Sequence, residues 1–213
     1  MEIRAYDEAY LRLAQRILGD AFDFAVNTLH IDADAFMDAF LVSGLAAQFE
    51  RGNPAYVAGI TGCELARTVL DKVGCSYPEA EDIMYLDRSP EYWSGWALAF
   101  YQWYTAKPFS QIHKAVSMEE IVRMYPVYHE MDPVQFADEM TRRLRAFYRD
   151  TRLHAHRVAA GYSQSALAKA SGVPLRQIQQ FEQRVRDINK TQAMNLFRLG
   201  RVLGCRAEEL LEL

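Results

Sequence analysis

Histidines at two places in the sequence could be expected to support zinc chemistry. His129-Glu130 begins like a metalloprotease helix, but such a helix needs a second histidine four residues after the first, and Pro133 occupies that position. His154 and His156 are two residues apart, and side chains at that spacing do not share a face of a helix. Neither pair therefore indicates a catalytic metal site.

Carboxylates and thiols offer two further kinds of site. Asp32, Asp34 and Asp38 lack the glycine and the distant glutamate of a calcium-binding loop, so helix capping and solvated charge explain them better. The three cysteines are odd in number and lack the spacing of metal ligands: Cys63, Cys75 and Cys205. The sequence also contains neither a glycine-rich phosphate loop nor a nucleophile elbow. We therefore expect no enzyme, no cofactor and no metal site.

The composition is typical of a folded cytoplasmic protein. A chain of 213 residues, of which 50% are hydrophobic, can build one large domain or two modest ones. No apolar stretch approaches the roughly 20 residues that a membrane span needs. The odd number of cysteines fits thiols kept in a reducing compartment. We expect a cytoplasmic protein that does not contact a membrane.

Charge is divided sharply along the chain. Residues 1–140 carry 10 Lys/Arg and 22 Asp/Glu, a net charge of −12, whereas residues 141–213 carry 14 and 6, a net charge of +8. Such a division predicts two domains, of which the basic one is suited to a polyanion. We place an acidic, aromatic-rich helical domain at 1–148 and a basic domain at 149–213.

The acidic domain shows helical periodicity and no alternating run long enough for a confident strand, so we expect an all-α fold. Its segment "SPEYWSGWALAFYQWYTAKPF" holds eight aromatic residues between Tyr92 and Phe109. At helical spacing, five of these residues form one stripe, which we call the ring stripe: Trp93, Trp96, Phe100, Trp103 and Tyr104. Small residues such as Gly95 lie on the opposite side of the helix. We expect this helix to be mostly core. A partner or ligand surface is the alternative, and stacking on bases is disfavoured by the acidic charge.

The basic domain reads as five short helices between residues 152 and 213. Ser163 can cap the second helix, and Gly172 supplies the turn that follows it. Pro174 suits the start of a third helix, which would bury Ile178 and Phe181. Because no glycine or proline lies between Pro133 and Gly161, we expect helix or near-helix to continue from the first domain towards the second.

The segment "SQSALAKASGVPLRQIQQFEQ" resembles the helix-turn-helix of the Cro/repressor (Xre) family, over about residues 149–211. Many positions agree at once: Arg157, Gly161, Ser163, Gln164, Leu167, Ala168, Gly172, Val173, Ile178 and Glu182. The phrases "EYWSGWALAFYQWYT" and "MYPVYHEMD" are similar to the front halves of toxin-associated regulators. The resemblance implies an all-α protein in which a Cro/repressor-like domain follows a helical amino-terminal domain.

The resemblance also implies residue roles, because the family docks its third helix in the major groove of double-stranded DNA. The base-reading positions would be Leu175, Arg176, Gln179 and Gln180. The positions suited to phosphate contacts would be Gln164, Arg184, Arg186 and Lys190. Arg157 and Glu182 would form the family's structural ion pair. The connection "EQRVRDINKTQ" is longer than the family's usual turn after the glutamate, and three of the phosphate positions, Arg184, Arg186 and Lys190, lie within it.

These features together predict a sequence-specific DNA-binding transcriptional regulator that acts as a homodimer and represses transcription. The alternative is an antitoxin, whose acidic half neutralises a toxin while its basic half regulates the operon. A metabolite-sensing regulator is a further possibility. An exposed apolar patch on the acidic half would favour the antitoxin, and a closed cavity with converging polar groups would favour the sensor.

Overall fold

The computed structural model of the protein describes residues 4–82, 88–148 and 150–212. Every regular element within these ranges is helical, as the periodicity predicted, and none is a strand. No helix there is both long and apolar enough to cross a membrane. The chain divides into two compact units, Met1–Phe147 and Tyr148–Leu213. The first unit carries 13 Lys/Arg and 22 Asp/Glu, a net charge of −9. The second unit carries 11 Lys/Arg and 6 Asp/Glu, a net charge of +5.

The first unit contains nine α-helices within its described residues. They are α1 (Leu11–Asp23), α2 (Ala33–Val42), α3 (Leu45–Glu50), α4 (Pro54–Val57), α5 (Gly62–Val73), α6 (Pro90–Thr105), α7 (Phe109–Ala115), α8 (Met118–Tyr128) and α9 (Pro133–Phe147). Several of these helices begin at a residue whose side chain caps the first turn. Thr61 and Ser117 form capping boxes with Glu64 and Glu120, and the Ser89 hydroxyl accepts a hydrogen bond from the amide of Tyr92.

Helices α1 and α6 form the centre of the first unit and pack through small residues. A side chain added at Gly95 would place its Cβ 2.5 Å from the carbonyl oxygen of Leu18, and one at Gly19 would lie 2.9 Å from the carbonyl oxygen of Tyr92. Two backbones can approach this closely only where Cβ is absent. The small-residue face of α6, opposite the ring stripe, is therefore the face that contacts α1.

The ring stripe packs inside the first unit to different depths. Trp93 and Trp103 are 8% and 6% exposed, while Trp96, Phe100 and Tyr104 are half-buried. The Trp93 ring meets the ring of Phe136 edge-on at 5.3 Å, and the Trp103 indole donates a hydrogen bond to a backbone carbonyl. The stripe is therefore mostly core, although the opposite, small-residue face lies deeper.

Helix is interrupted at the described residues between Phe147 and Arg152, where the extended backbone of Thr151 (φ −70°, ψ 156°) departs from the expected helix or near-helix. Helix α9 ends at Phe147, and a new helix begins at Arg152 after the cap residue Thr151. The hydroxyl of Thr151, a residue that is 1% exposed, accepts a hydrogen bond from the amide of His154. A threonine cap of this kind stabilises the start of a new helix.

The second unit consists of four α-helices and two single 3₁₀ turns among its described residues. They are α10 (Arg152–Ala159), α11 (Gln164–Ser171), α12 (Leu175–Glu182), a turn at Ile188–Lys190, α13 (Ala193–Leu203) and a turn at Ala207–Leu210. The fifth helix expected from the sequence is thus the last of these turns. One cluster of buried residues joins all the elements: Leu153, Leu167, Val173, Ile178, Phe181, Ile188, Leu199, Leu203 and Leu210.

Candidate DNA-binding surface

Helices α11 and α12 are set against each other by the turn between them. Ser163 caps α11 through the amide of Ala166, and Gly172 ends it in the left-handed region at φ +70°. A residue with a Cβ is strained in that region, which explains why glycine stands there. Ile178 and Phe181 then anchor α12 in the core at 0% and 2% exposure.

The side of α12 away from these anchors carries the four residues that the resemblance assigns to base reading. Leu175 and Arg176 are exposed, and Gln179 and Gln180 are half-buried. Within residues 4–82, 88–148 and 150–212, no hydrogen bond or ion pair engages the Arg176 side chain. A guanidinium and a glutamine amide on one helix face match the edges of guanine and adenine.

Arg157 and Glu182 form a two-bond pair between α10 and the end of α12. The Arg157 Nε donates to Glu182 Oε1 at 2.6 Å, and its Nη2 donates to Oε2 at 2.9 Å. The Arg157 Nη1 also donates to the carbonyl oxygen of Tyr162 at 2.8 Å. The two side chains are only 11% and 6% exposed, so the pair is screened little by water. It fixes the far end of α12 relative to α10.

Gln164 belongs to the same network. Its Nε2 donates to Glu182 Oε2 at 2.7 Å, which uses one of its two amide hydrogens. Burial alone raises the pKa of the Glu182 carboxyl, but the hydrogen bonds from Arg157 and Gln164 outweigh burial and lower that pKa. Glu182 therefore stays ionised at neutral pH. The second amide hydrogen of Gln164 is the one that the phosphate contact implied by the resemblance would use.

The other phosphate positions differ in their surroundings. Arg186 and Lys190 are exposed, and Lys190 Nζ makes only a 3.8 Å contact with Asp187. The Arg184 guanidinium instead donates to the carbonyl oxygen of Tyr148 at 2.6 Å and lies 3.5 Å from the carboxylate of Glu212. Arg184 also ends α12 with φ +56°. These contacts argue for a structural role for Arg184, which the long connection hid from sequence reasoning.

Sequence reasoning also missed one grouping in this unit. His156 comes together in space with Cys205 and Glu209 although it lies 49 residues before Cys205 in the chain. No spacing rule could have found them, because α10 and the last turn meet only through the fold.

Comparison with known proteins supports the identity of this unit. Residues 153–210 match the helix-turn-helix family model, which covers α10 to the last turn. No curated protein and no solved structure shows a match to the chain. The matched segment contains the two crossed helices, the glycine turn and the ion pair described above. The chain therefore carries a helix-turn-helix domain at residues 153–210, which supports a DNA-binding transcriptional regulator.

Proposed function

We propose that this regulator is a repressor that reads a palindromic operator as a homodimer. The observation that supports the proposal best is the outward face of α12, where Arg176 is exposed and has no protein partner among the described residues. Occupying an operator that overlaps a promoter is sufficient to repress transcription. No catalytic step and no cofactor are needed for that role.

A dimer follows from the size of the reading surface. One unit presents one recognition helix, whereas two units related by a two-fold axis would place their helices roughly 34–36 Å apart, one turn of DNA. Met194 and Phe197 on α13 are 58% and 62% exposed, so they offer apolar surface within the DNA-binding unit. We propose that this part of α13 contributes to the contact between two copies.

Light scattering of the full-length protein, alone and on operator DNA, tests the dimer. We expect two chains per operator, and we expect Phe197→Asp to shift the free protein towards monomer and to weaken operator binding at least about tenfold. Val158→Asp is the matched control, because Val158 is an exposed apolar residue (56%) of the same unit on another helix. One chain per operator at saturating protein would overturn the proposal.

A second candidate function is that of an antitoxin, and one surface of the first unit favours it. Val127 and Met131 are 55% and 43% exposed, and they line a groove of about 420 Å³. The groove is open and also carries charged residues: Asp138, Glu139 and Arg142. Exposed apolar surface rimmed by charge is typical of protein interfaces. The net charge of −9 on this unit would suit a basic partner.

Mixing the protein with the product of a neighbouring gene tests this second function. We expect Val127→Asp with Met131→Asp to weaken such a complex by about 1–2 kcal/mol or more, because charge would replace the apolar centre of the contact. Val42→Asp should leave the complex unchanged, since Val42 is 79% exposed on α2 of the same unit. Equal binding by the double variant and the native protein would rule this surface out.

A further inference from the structure

Three side chains with metal-binding atoms meet at one side of the second unit. His156 comes from α10, Cys205 follows α13, and Glu209 lies in the turn Ala207–Leu210. One ligand atom of each lies within 4.8 Å of the other two, and His156 Nε2 is 4.0 Å from Glu209 Oε2. An imidazole nitrogen, a sulfur and a carboxylate oxygen thus face a common point.

This donor set suits zinc better than the hard cations. Zn²⁺ accepts nitrogen, sulfur and oxygen ligands, whereas Mg²⁺ and Ca²⁺ take oxygen ligands almost alone. With zinc bonds of about 2.0–2.3 Å, tetrahedral ligands would be about 3.3–3.6 Å apart. The three atoms would therefore have to move together by about 1 Å. Side-chain rotation can supply this movement, because the His156 and Glu209 side chains are 33% and 48% exposed.

The backbone that carries the three residues is well fixed. Leu153 on α10 and Leu210 in the last turn are buried at 1% and 0% exposure. The amide of Cys205 donates to the carbonyl oxygen of Gly200, and a Cβ at Gly200 would lie 2.7 Å from the carbonyl oxygen of Cys205. The chain after α13 is thus held against the helix by a close backbone contact. A fixed backbone limits the ordering cost of binding a cation to the rotation of the side chains.

We propose that His156, Cys205 and Glu209 bind one Zn²⁺ ion, with water in the fourth position. Binding would replace the thiol proton of Cys205 with the metal and release that proton to solvent. The ion would tie α10 to the segment that follows α13. Since Arg157, the next residue after His156, holds the end of α12 through Glu182, this tie would also stabilise the recognition helix.

Calorimetric titration of the chelator-treated full-length protein with zinc chloride tests the site without DNA. We expect one ion per chain, a rise in the melting temperature with Zn²⁺ but not with Mg²⁺, and affinity at least tenfold lower in Cys205→Ser and His156→Ala. Loss of an outer partner of a zinc ligand already costs about 10–100-fold, so loss of a ligand should cost no less. Cys75→Ser and His154→Ala are matched controls. Cys75 is exposed in the first unit, and the His154 side chain on α10 faces Asp150.

Cobalt provides a second measurement that does not depend on affinity. A thiolate bound to Co²⁺ gives charge-transfer absorption, which Cys205→Ser should abolish and Glu209→Gln should retain in weakened form. Circular dichroism checks that each ligand variant is folded. If one variant does not fold, variants of the other two ligands still test the site. Unchanged zinc affinity in folded Cys205→Ser, or an equal loss in Cys75→Ser, would overturn the proposal. Either result would leave DNA binding untouched.

Discussion

Replacing Arg157 with alanine is expected to lower the free energy of unfolding of the second unit by about 3–5 kcal/mol, which is the usual cost of leaving a buried charge without its partner. Glu182 is 6% exposed and would keep a hydrogen bond from Gln164 alone. Its pKa is lower in the folded chain than the ordinary 4.5, so the ionised form contributes stability at neutral pH, and that contribution is lost as the pH falls through the folded pKa. Without Arg157, the buried Glu182 carboxylate has lost its charged partner and lowers the free energy of unfolding instead of raising it.

Chemical denaturation followed by two signals can assign the loss to the right unit. All three tryptophans, Trp93, Trp96 and Trp103, belong to the first unit, so their fluorescence reports that unit while circular dichroism reports both. We expect the Arg157→Ala effect in the dichroism transition. Arg157→Ala combined with Glu182→Gln should recover part of the loss, because the uncompensated charge is then gone. The exposed Arg198→Ala should change stability by no more than about 0.5 kcal/mol. A loss below about 1 kcal/mol for Arg157→Ala would contradict the structural importance of the pair.

Local sequence rules predicted the helix starts well, because a cap acts within one turn. The cap predicted at Ser163 makes the expected hydrogen bond, and the capping boxes at Thr61 and Ser117 follow the same local rule. The turn at Gly172 was also predictable, since its backbone conformation suits glycine. Where a few neighbouring residues determine the conformation, the sequence alone is sufficient.

Long-range contacts were less predictable. The helix break before Arg152 follows from a buried threonine, and its burial depends on packing rather than on local pattern. The carbonyl and carboxylate partners of Arg184, Tyr148 and Glu212, lie 36 and 28 residues away along the chain, so residue spacing did not predict these contacts. The grouping of His156 with Cys205 has the same origin. Such contacts arise only when separate helices meet, so the spacing of residues along the chain does not predict them.

Arg176→Ala should weaken binding to the operator by about 1–3 kcal/mol and relax the choice of base at one position. The side chain is exposed on α12 and has no partner among the described residues, so its removal should not destabilise the fold. Arg186→Ala is the contrasting variant. Arg186 is exposed after α12, and loss of a phosphate contact should weaken all sequences alike and reduce the salt dependence by about one counterion.

Gel-shift titration at several salt concentrations can separate base reading by Arg176 from phosphate contact by Arg186. The DNAs to compare are an operator selected from random DNA, a scrambled copy of it and variants of each base pair. Arg176→Lys adds a sharper comparison, because lysine keeps the charge but cannot form the paired bonds of a guanidinium with one guanine. Binding of Arg176→Lys to scrambled DNA should therefore stay near that of the native protein, while its operator affinity should fall towards that of Arg176→Ala. If Arg176→Ala loses the same free energy on operator and scrambled DNA, Arg176 contacts the backbone instead, and the base-reading face of α12 must be sought at Gln179 and Gln180.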